Sequence, residues 1–123
     1  MLLDTHALLW WLANDPRLGD AAREQIADPA VEVAVSAASA WEISIKQALG
    51  RLEMEADLAI AIAASGFREL PITIEDALTA GALPRHHRDP FDRMLVAQAL
   101  REGCTIVTAD PDIALYGAPV LAA

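Results

Sequence analysis

The sequence predicts an α/β fold, and two observations carry that expectation. Short apolar runs alternate with longer segments of helical periodicity along the whole chain. Three of the strand-like runs also end on a polar side chain: Asp4 after MLL, Ser36 closing VEVAVS, and Asp110 just after TIVT. Open α/β sheets bind ligands beyond the carboxyl ends of their strands, so these residues fall where such a fold places a site. No repeat, low-complexity tract or linker interrupts the pattern. The 123 residues are read as one domain, 1–123.

The elements follow in order. MLL is a short buried strand, and HALLWWLA is the helix after it. LGDAAREQIAD is a second helix, closed by Pro29. VEVAVS is rich in β-branched residues and reads as a strand. AASAWEISIKQALG is a helix with Gly50 as its stop signal. ADLAIAIAAS is almost wholly apolar, which implies a buried helix or one at a subunit contact. FRELPI is a strand that Pro71 keeps short or confines to an edge. TIEDALTAGAL and DPFDRMLVAQALREG are helices, the second stopped by Gly103. TIVTAD is a strand, and APVLA is a candidate for a last one.

Composition bounds the function. A chain of this length buries roughly two thirds of its unfolded surface and needs no disulfide or structural metal to fold. Over half of its residues (54%) are hydrophobic, which is enough for such a core. The single cysteine, Cys104, sits beside an apolar run and reads as a small core residue rather than a nucleophile. The first residues lack a basic stretch and meet Asp4 early, so no signal peptide is expected. No apolar stretch is long enough for a membrane span, and a cytoplasmic location is expected. The formal charge of −9 argues against a passive nucleic-acid binder, which would show a basic face.

Each candidate acid has a structural reading beside its chemical one. Asp4 is either the cap of the helix after it or a metal ligand. Glu42 fits a capping box with Ser39 and an i, i+4 pair with Lys46. Trp41 beside it is expected in the core rather than as a base-stacking platform. In Asp89-Pro90-Phe91-Asp92, capping accounts for Asp89 better than for Asp92. Asp110-Pro111-Asp112 repeats the pattern, with Asp112 read as a solvated charge at a helix start. His6 reads as a surface residue. Several carboxylates converging on one sheet edge repel one another unless cations sit among them. Hard oxygen donors select Mg²⁺ or Mn²⁺ over zinc, and neither Cys104 nor the histidines show zinc spacing.

The segments LLDTHALLWW, SAASAWEISIKQALGRL, RHHRDPFDRMLVAQAL and TIVTADPDI together resemble the PIN-domain ribonucleases, specifically VapC-type toxins of type II toxin–antitoxin systems. The likeness runs from residue 2 to 113. It implies a PIN-like three-layer α/β/α sandwich with a short, mostly parallel sheet and an acidic pocket at its carboxyl edge. Carried over by position, the four catalytic, metal-binding acids fall on Asp4, Glu42, Asp92 and Asp110. Thr5, Ser36 and Thr108 lie near them, suited to holding the metal's waters. Asp89 is placed behind the ligands, and Asp112 is a further candidate for the fourth position. The implied activity is Mg²⁺- or Mn²⁺-dependent endoribonuclease cleavage to a 5′-phosphate and a 3′-hydroxyl. The implied partners are a cognate antitoxin, an RNA substrate and a second copy in a homodimer.

LPRHHRDPFDR concentrates scarce positive charge beside two of these acids, in a chain with nine Lys and Arg against eighteen Asp and Glu. Arg85, Arg88 and Arg93, with His86 and His87, are therefore candidate phosphate contacts for RNA. The competing reading pairs the arginines with Asp89, Asp92 or Glu102. Two other functions remain in view. One is a catalytically inactive PIN-fold binding module. The other is a phosphate-receiver domain, which needs a lysine beyond its last strand, whereas the only lysine here, Lys46, lies mid-helix.

Overall fold

The computed structural model describes all of residues 1–123. Five strands form one parallel sheet: β1 (Leu2–Leu3), β2 (Ala34–Ser36), β3 (Arg68–Leu70), β4 (Ile106–Thr108) and β5 (Val120–Ala122). Their order across the sheet is β3-β2-β1-β4-β5. Seven helices connect them: α1 (Thr5–Leu12), α2 (Asp20–Ala27), α3 (Ala37–Ala48), α4 (Leu58–Ala64), α5 (Ile74–Ala82), α6 (Pro90–Glu102) and α7 (Pro111–Ala114). The chain winds outward from β1 to one edge, then returns to β1's other side at β4. The switch point therefore lies between β1 and β4.

Alternation along the strands builds two cores. Leu3, Val35 and Val107 face one layer, with residues from α1, α2, α3 and α4. Leu2, Ala34 and Ile106 face the other, with residues from α6 and α7. Successive strand side chains point to opposite faces, so each two- or three-residue strand serves both layers. This is the α/β/α sandwich, and every strand pair is parallel. β3 lies at an edge directly before Pro71, as the proline requires.

Register sets the site. Leu3 pairs with both Val35 and Val107. The next residues, Asp4, Ser36 and Thr108, therefore stand side by side at the carboxyl edge.

Three sequence expectations change. The Ser39–Glu42 capping box does not form, because α3 begins at Ala37 with Ser36 as its cap. Ser39 and Glu42 instead lie on the buried stripe of that helix, with Ala38 and Ile43. Trp41 falls off the stripe and is 61% exposed rather than in the core. Of the two readings of the Ala/Ile-rich helix, the buried one fails, since α4 buries only Ile62 and leaves Ile60 70% exposed. Cys104 is partly buried against the second core, and burial pushes its thiol pKa up, which suits a packing role. His6 is exposed beside the Trp10 ring.

Candidate functional site

Helix starts position most of the acids. Asp4 caps α1, accepting from the Ala7 amide at 2.8 Å. Its own amide donates to the Val107 carbonyl at 3.0 Å, which ties it to β4. Asp89 caps α6 through the amides of Phe91 (2.8 Å) and Asp92 (3.3 Å), with Pro90 at the first helical position. Asp110 caps α7 through the Asp112 amide at 2.9 Å, and its own amide donates to the Thr108 hydroxyl. Capping uses one oxygen of each carboxylate and leaves the other to face the site.

Glu42 is buried on α3 and held from two sides. The Thr5 hydroxyl donates to its Oε1 at 2.7 Å, and Lys46 pairs with its Oε2 at 3.0 Å. With its proton on Glu42, Thr5 Oγ1 accepts from the Ser39 hydroxyl at 3.2 Å. Ser36 is fully buried, with its hydroxyl accepting from the Ala38 amide. Asp112 is exposed at the second position of α7.

The tightest group is His87, Asp92 and Asp110, whose potential ligand atoms all lie within 4.8 Å of one another. The His87 Nε2 is 2.7 Å from Asp110 Oδ2 and 3.1 Å from Asp92 Oδ2. The Asp89 amide donates to His87 Nδ1 at 3.0 Å. That contact makes Nδ1 an acceptor, so a neutral His87 carries its proton on Nε2, facing both carboxylates.

Mutual repulsion is visible in the protonation of these groups. Burial, the charge of Asp89 and further charge from Asp4 and Glu42 push Asp92 up to about 7, with His87 opposing. Burial also raises Asp4, and the Asp110 charge adds to it. The Thr108 hydroxyl and the Ala7 amide work the other way without cancelling the rise. Burial lowers the His87 pKa, but the Asp110 hydrogen bond and the charges of Asp92, Asp110 and Asp89 outweigh it. The Asp89 amide at Nδ1 resists full protonation of the ring. Asp92 thus senses Asp4 and Glu42, and Asp4 senses Asp110, around the β1–β4 switch point.

Oxygen donors dominate this set, and their accumulated negative charge is what a hard divalent cation neutralises. The residues present fit such an ion. A concavity of about 720 Å³ lies elsewhere, between α3, α4 and β3. Its lining is mostly apolar, and of the site residues only Ser36 reaches it. The carboxylates rather than this apolar hollow are where charge converges.

The PIN domain family model matches residues 1–118. The chain belongs to the PIN-domain family. One PIN relative, Ribonuclease VapC22 of Mycobacterium tuberculosis, is 35% identical over 113 residues, spanning 89% of this chain and 86% of the relative. VapBC2 from Rickettsia felis, solved bound to a DNA fragment from its promoter, superposes with a TM-score of 0.67 at 15% identity. That match covers 98% of this chain and 96% of the other. FitAB bound to the IR36 DNA fragment gives the same TM-score at 18% identity, covering 98% and 92%. These two likenesses support the PIN fold.

His87 is the residue that sequence reasoning misplaced. It was grouped with the phosphate contacts, yet it bridges two acids. Its position two residues before a helix-capping Asp-Pro was the available signal, because a side chain there folds back over the helix start. Arg93 differs too. Its guanidinium donates to the carbonyls of Ala80 (2.8 Å), Leu83 (3.0 Å), Pro84 (3.0 Å) and His87 (3.3 Å). Those contacts, together with Tyr116 Oη at 3.4 Å, occupy the donors a phosphate would need. Tyr116 also accepts from the His87 amide at 2.8 Å, so Arg93 and Tyr116 together hold the loop that carries His87. Arg85 and Arg88 are exposed.

Proposed function

We propose that this protein is a divalent-metal-dependent endoribonuclease acting as the toxin of a toxin–antitoxin pair. The observation that carries the reading is the meeting of acids at the sheet's switch point: Asp92 and Asp110 within ligand distance of one another around His87, beside Asp4 at the end of β1. Asp4, Glu42, Asp92 and Asp110 are the residues that would hold Mg²⁺ or Mn²⁺. When bound, such an ion lowers the pKa of its water and neutralises charge on the phosphate. Hydrolysis adds water to phosphorus and breaks the P–O3′ bond, leaving a 5′-phosphate and a protonated 3′-oxygen.

The chain's own residues prepare that reaction. Thr5 fixes the orientation of Glu42, and the Asp4 and Asp110 caps lock two carboxylates to rigid helix starts. His87 holds a proton at Nε2 between Asp92 and Asp110, which keeps those two acids together before an ion arrives. Thr108, Ser36 and Asp89 support this arrangement from behind, and Asp112 stands outside it.

Antitoxin binding and a homodimer belong to the same reading. Exposed Ile60 on α4, and Ile74 and Leu78 on α5, offer apolar surface for protein partners. No helix is long and apolar enough to cross a membrane.

The test is cleavage of RNA by the purified protein with and without Mn²⁺, followed by mapping of the cut ends. Metal-dependent cleavage leaving 5′-phosphates, abolished by Asp4→Ala in a protein of unchanged fold, is expected. Binding of RNA without cleavage under any divalent ion would convert the reading to an inactive binding module.

A further inference from the structure

Six of the nine cationic side chains have a partner within the fold. Arg17 pairs with Asp15, Lys46 with Glu42, Arg68 with Glu32 and Arg101 with Asp76. Arg23 bonds Asn14, and Arg93 bonds the carbonyls already described. Arg51, Arg85 and Arg88 have neither an ion pair nor a hydrogen bond. Two of these three, Arg51 and Arg88, line a single groove of about 400 Å³ together with Lys46, Leu49 and Phe91 and the acids Glu42 and Asp89. Its lining thus holds three cations against the two acids Glu42 and Asp89, a small positive excess in a chain of net charge −9.

An aromatic pair stands beside this groove. Trp41 is 61% exposed and meets Phe91 edge to face, with ring centroids 5.3 Å apart. Trp41 immediately precedes Glu42, and Phe91 immediately precedes Asp92. Phe91 thus braces the indole ring, and the ring's solvent-facing surface lies within one residue of two site acids. A cationic track beside an exposed aromatic plane is how proteins hold single-stranded nucleic acid. The cations follow the backbone, and bases stack without regard to sequence.

We propose that the Lys46–Arg51–Arg88 groove and the Trp41 ring form a subsite for single-stranded RNA flanking the scissile phosphate. Arg51 and Arg88 contact phosphates, and one base stacks on Trp41. This rests on the ribonuclease reading above and deepens it. Duplex RNA is disfavoured, because its bases are already stacked on one another and present no free face to Trp41.

The experiment uses the full chain and fluorescein-labelled 12-nucleotide RNA of mixed sequence, single-stranded or annealed to its complement. Anisotropy gives affinity in the non-cleaving Asp92→Asn background, and wild-type cleavage with Mn²⁺ is followed separately. Trp41→Ala is expected to weaken single-strand binding about 5- to 100-fold, in line with the loss of one stacked base. Trp41→Phe should restore most of that affinity. RNA should quench tryptophan fluorescence in the parent, and this quenching should vanish in Trp41→Phe while Trp10 and Trp11 remain. Arg51→Ala with Arg88→Ala should flatten the salt dependence of binding by about 1.4 in the log–log slope, for two lost phosphate contacts on a single strand. If the parent binds and wild type cleaves RNA, but these variants match the parent in affinity, salt slope and quenching, the subsite is overturned and the nuclease reading stands. The subsite is equally overturned if the variants leave RNA binding unchanged while weakening the complex with a co-purified protein partner, since the face is then a protein contact. If wild type neither binds nor cleaves RNA, the nuclease reading has failed, and this inference falls with it.

Discussion

Replacing Asp92 by Asn should stabilise the metal-free protein, and the gain should depend on pH in a calculable way. In the fold, Asp92 keeps its proton until about pH 7, against an ordinary value of 3.8. Between those values the folded state binds more protons at this group than the unfolded state does. Stability contributed by Asp92 therefore falls as pH rises from about 4 to about 7, and the full penalty persists above that. At roughly 1.4 kcal/mol per pKa unit, a rise of about three units caps the penalty near 4 kcal/mol. The side chain retains 18% of its exposure, and relaxation will soften the effect, so about 2 kcal/mol is the working figure. For a domain of this size that is on the order of 8 °C in Tm. The His87 pKa is raised, so its contribution is complete below pH 6.5 and is lost as pH climbs through the folded value. Both groups thus make the wild-type protein weaken toward alkaline pH. The assay is thermal unfolding in EDTA at pH 5, 6, 7 and 8, repeated with Mn²⁺. Asp92→Asn should match wild type near pH 4–5 and exceed it increasingly up to pH 8. Mn²⁺ should rescue wild type most at pH 8, where no proton competes for Asp92, and should do little for the variant. Parallel pH curves for the two proteins, or a variant less stable than wild type at pH 8, would refute the claim that repelling carboxylates meet at this point.

Two further outcomes follow from the same geometry. His87→Ala should lower Mn²⁺ affinity about 10- to 100-fold by calorimetry, the usual cost of removing an outer hydrogen-bond partner of ligating carboxylates. Here His87→Gln should recover part of the loss, because its amide nitrogen can replace Nε2; equal or tighter binding by the alanine variant would show that His87 obstructs the site rather than orienting it. Arg93→Ala should cost about 2–4 kcal/mol in urea unfolding, because four carbonyls lose a charged donor. In that position Arg93→Lys should not restore stability, since a single ammonium cannot span the same acceptors, and a near-neutral alanine variant would return Arg93 to the list of free cations.

The α/β alternation was legible because the two periods are physically distinct, and the polar residue after each central strand marked the sheet's carboxyl edge in advance. Asp4 and Asp110 could be placed for that reason. Glu42 was harder. Ser39 and Glu42 have capping-box spacing, which competed with the helix start read at Ala37 that the structure shows. With that start, Ala38, Ser39, Glu42 and Ile43 form one buried stripe, and a glutamate on a buried stripe signals function more strongly than a glutamate in a cap. The same phase puts Trp41 outside the stripe. Tryptophan is usually well buried, so its composition pointed inward while its helical phase pointed outward. His87 and Arg93 show a different limit. Both sit in a run whose charge reads as one patch, yet one side chain turns toward the acids and the other toward α5. Only tertiary contacts separate them.

The positive charge around Asp89 and Asp92 therefore does three different things. Arg93 is spent on the loop carbonyls, and with Tyr116 it fixes where His87 can stand. His87 faces inward, its proton shared between acids that would otherwise repel. Arg88 faces outward with no acid to hold it, and it joins Arg51 and Lys46 from another helix end rather than its own sequence neighbours. A chain of net charge −9 cannot attract RNA over long distances, but beyond a Debye length of roughly 8 Å that repulsion is largely screened. On the ribonuclease reading, what matters is the sign of the surface within that radius of the scissile bond. An acidic centre that would hold cations, beside the Lys46–Arg51–Arg88 groove, would offer RNA attraction at the cut and next to it, using only the few arginines that the fold leaves unpaired.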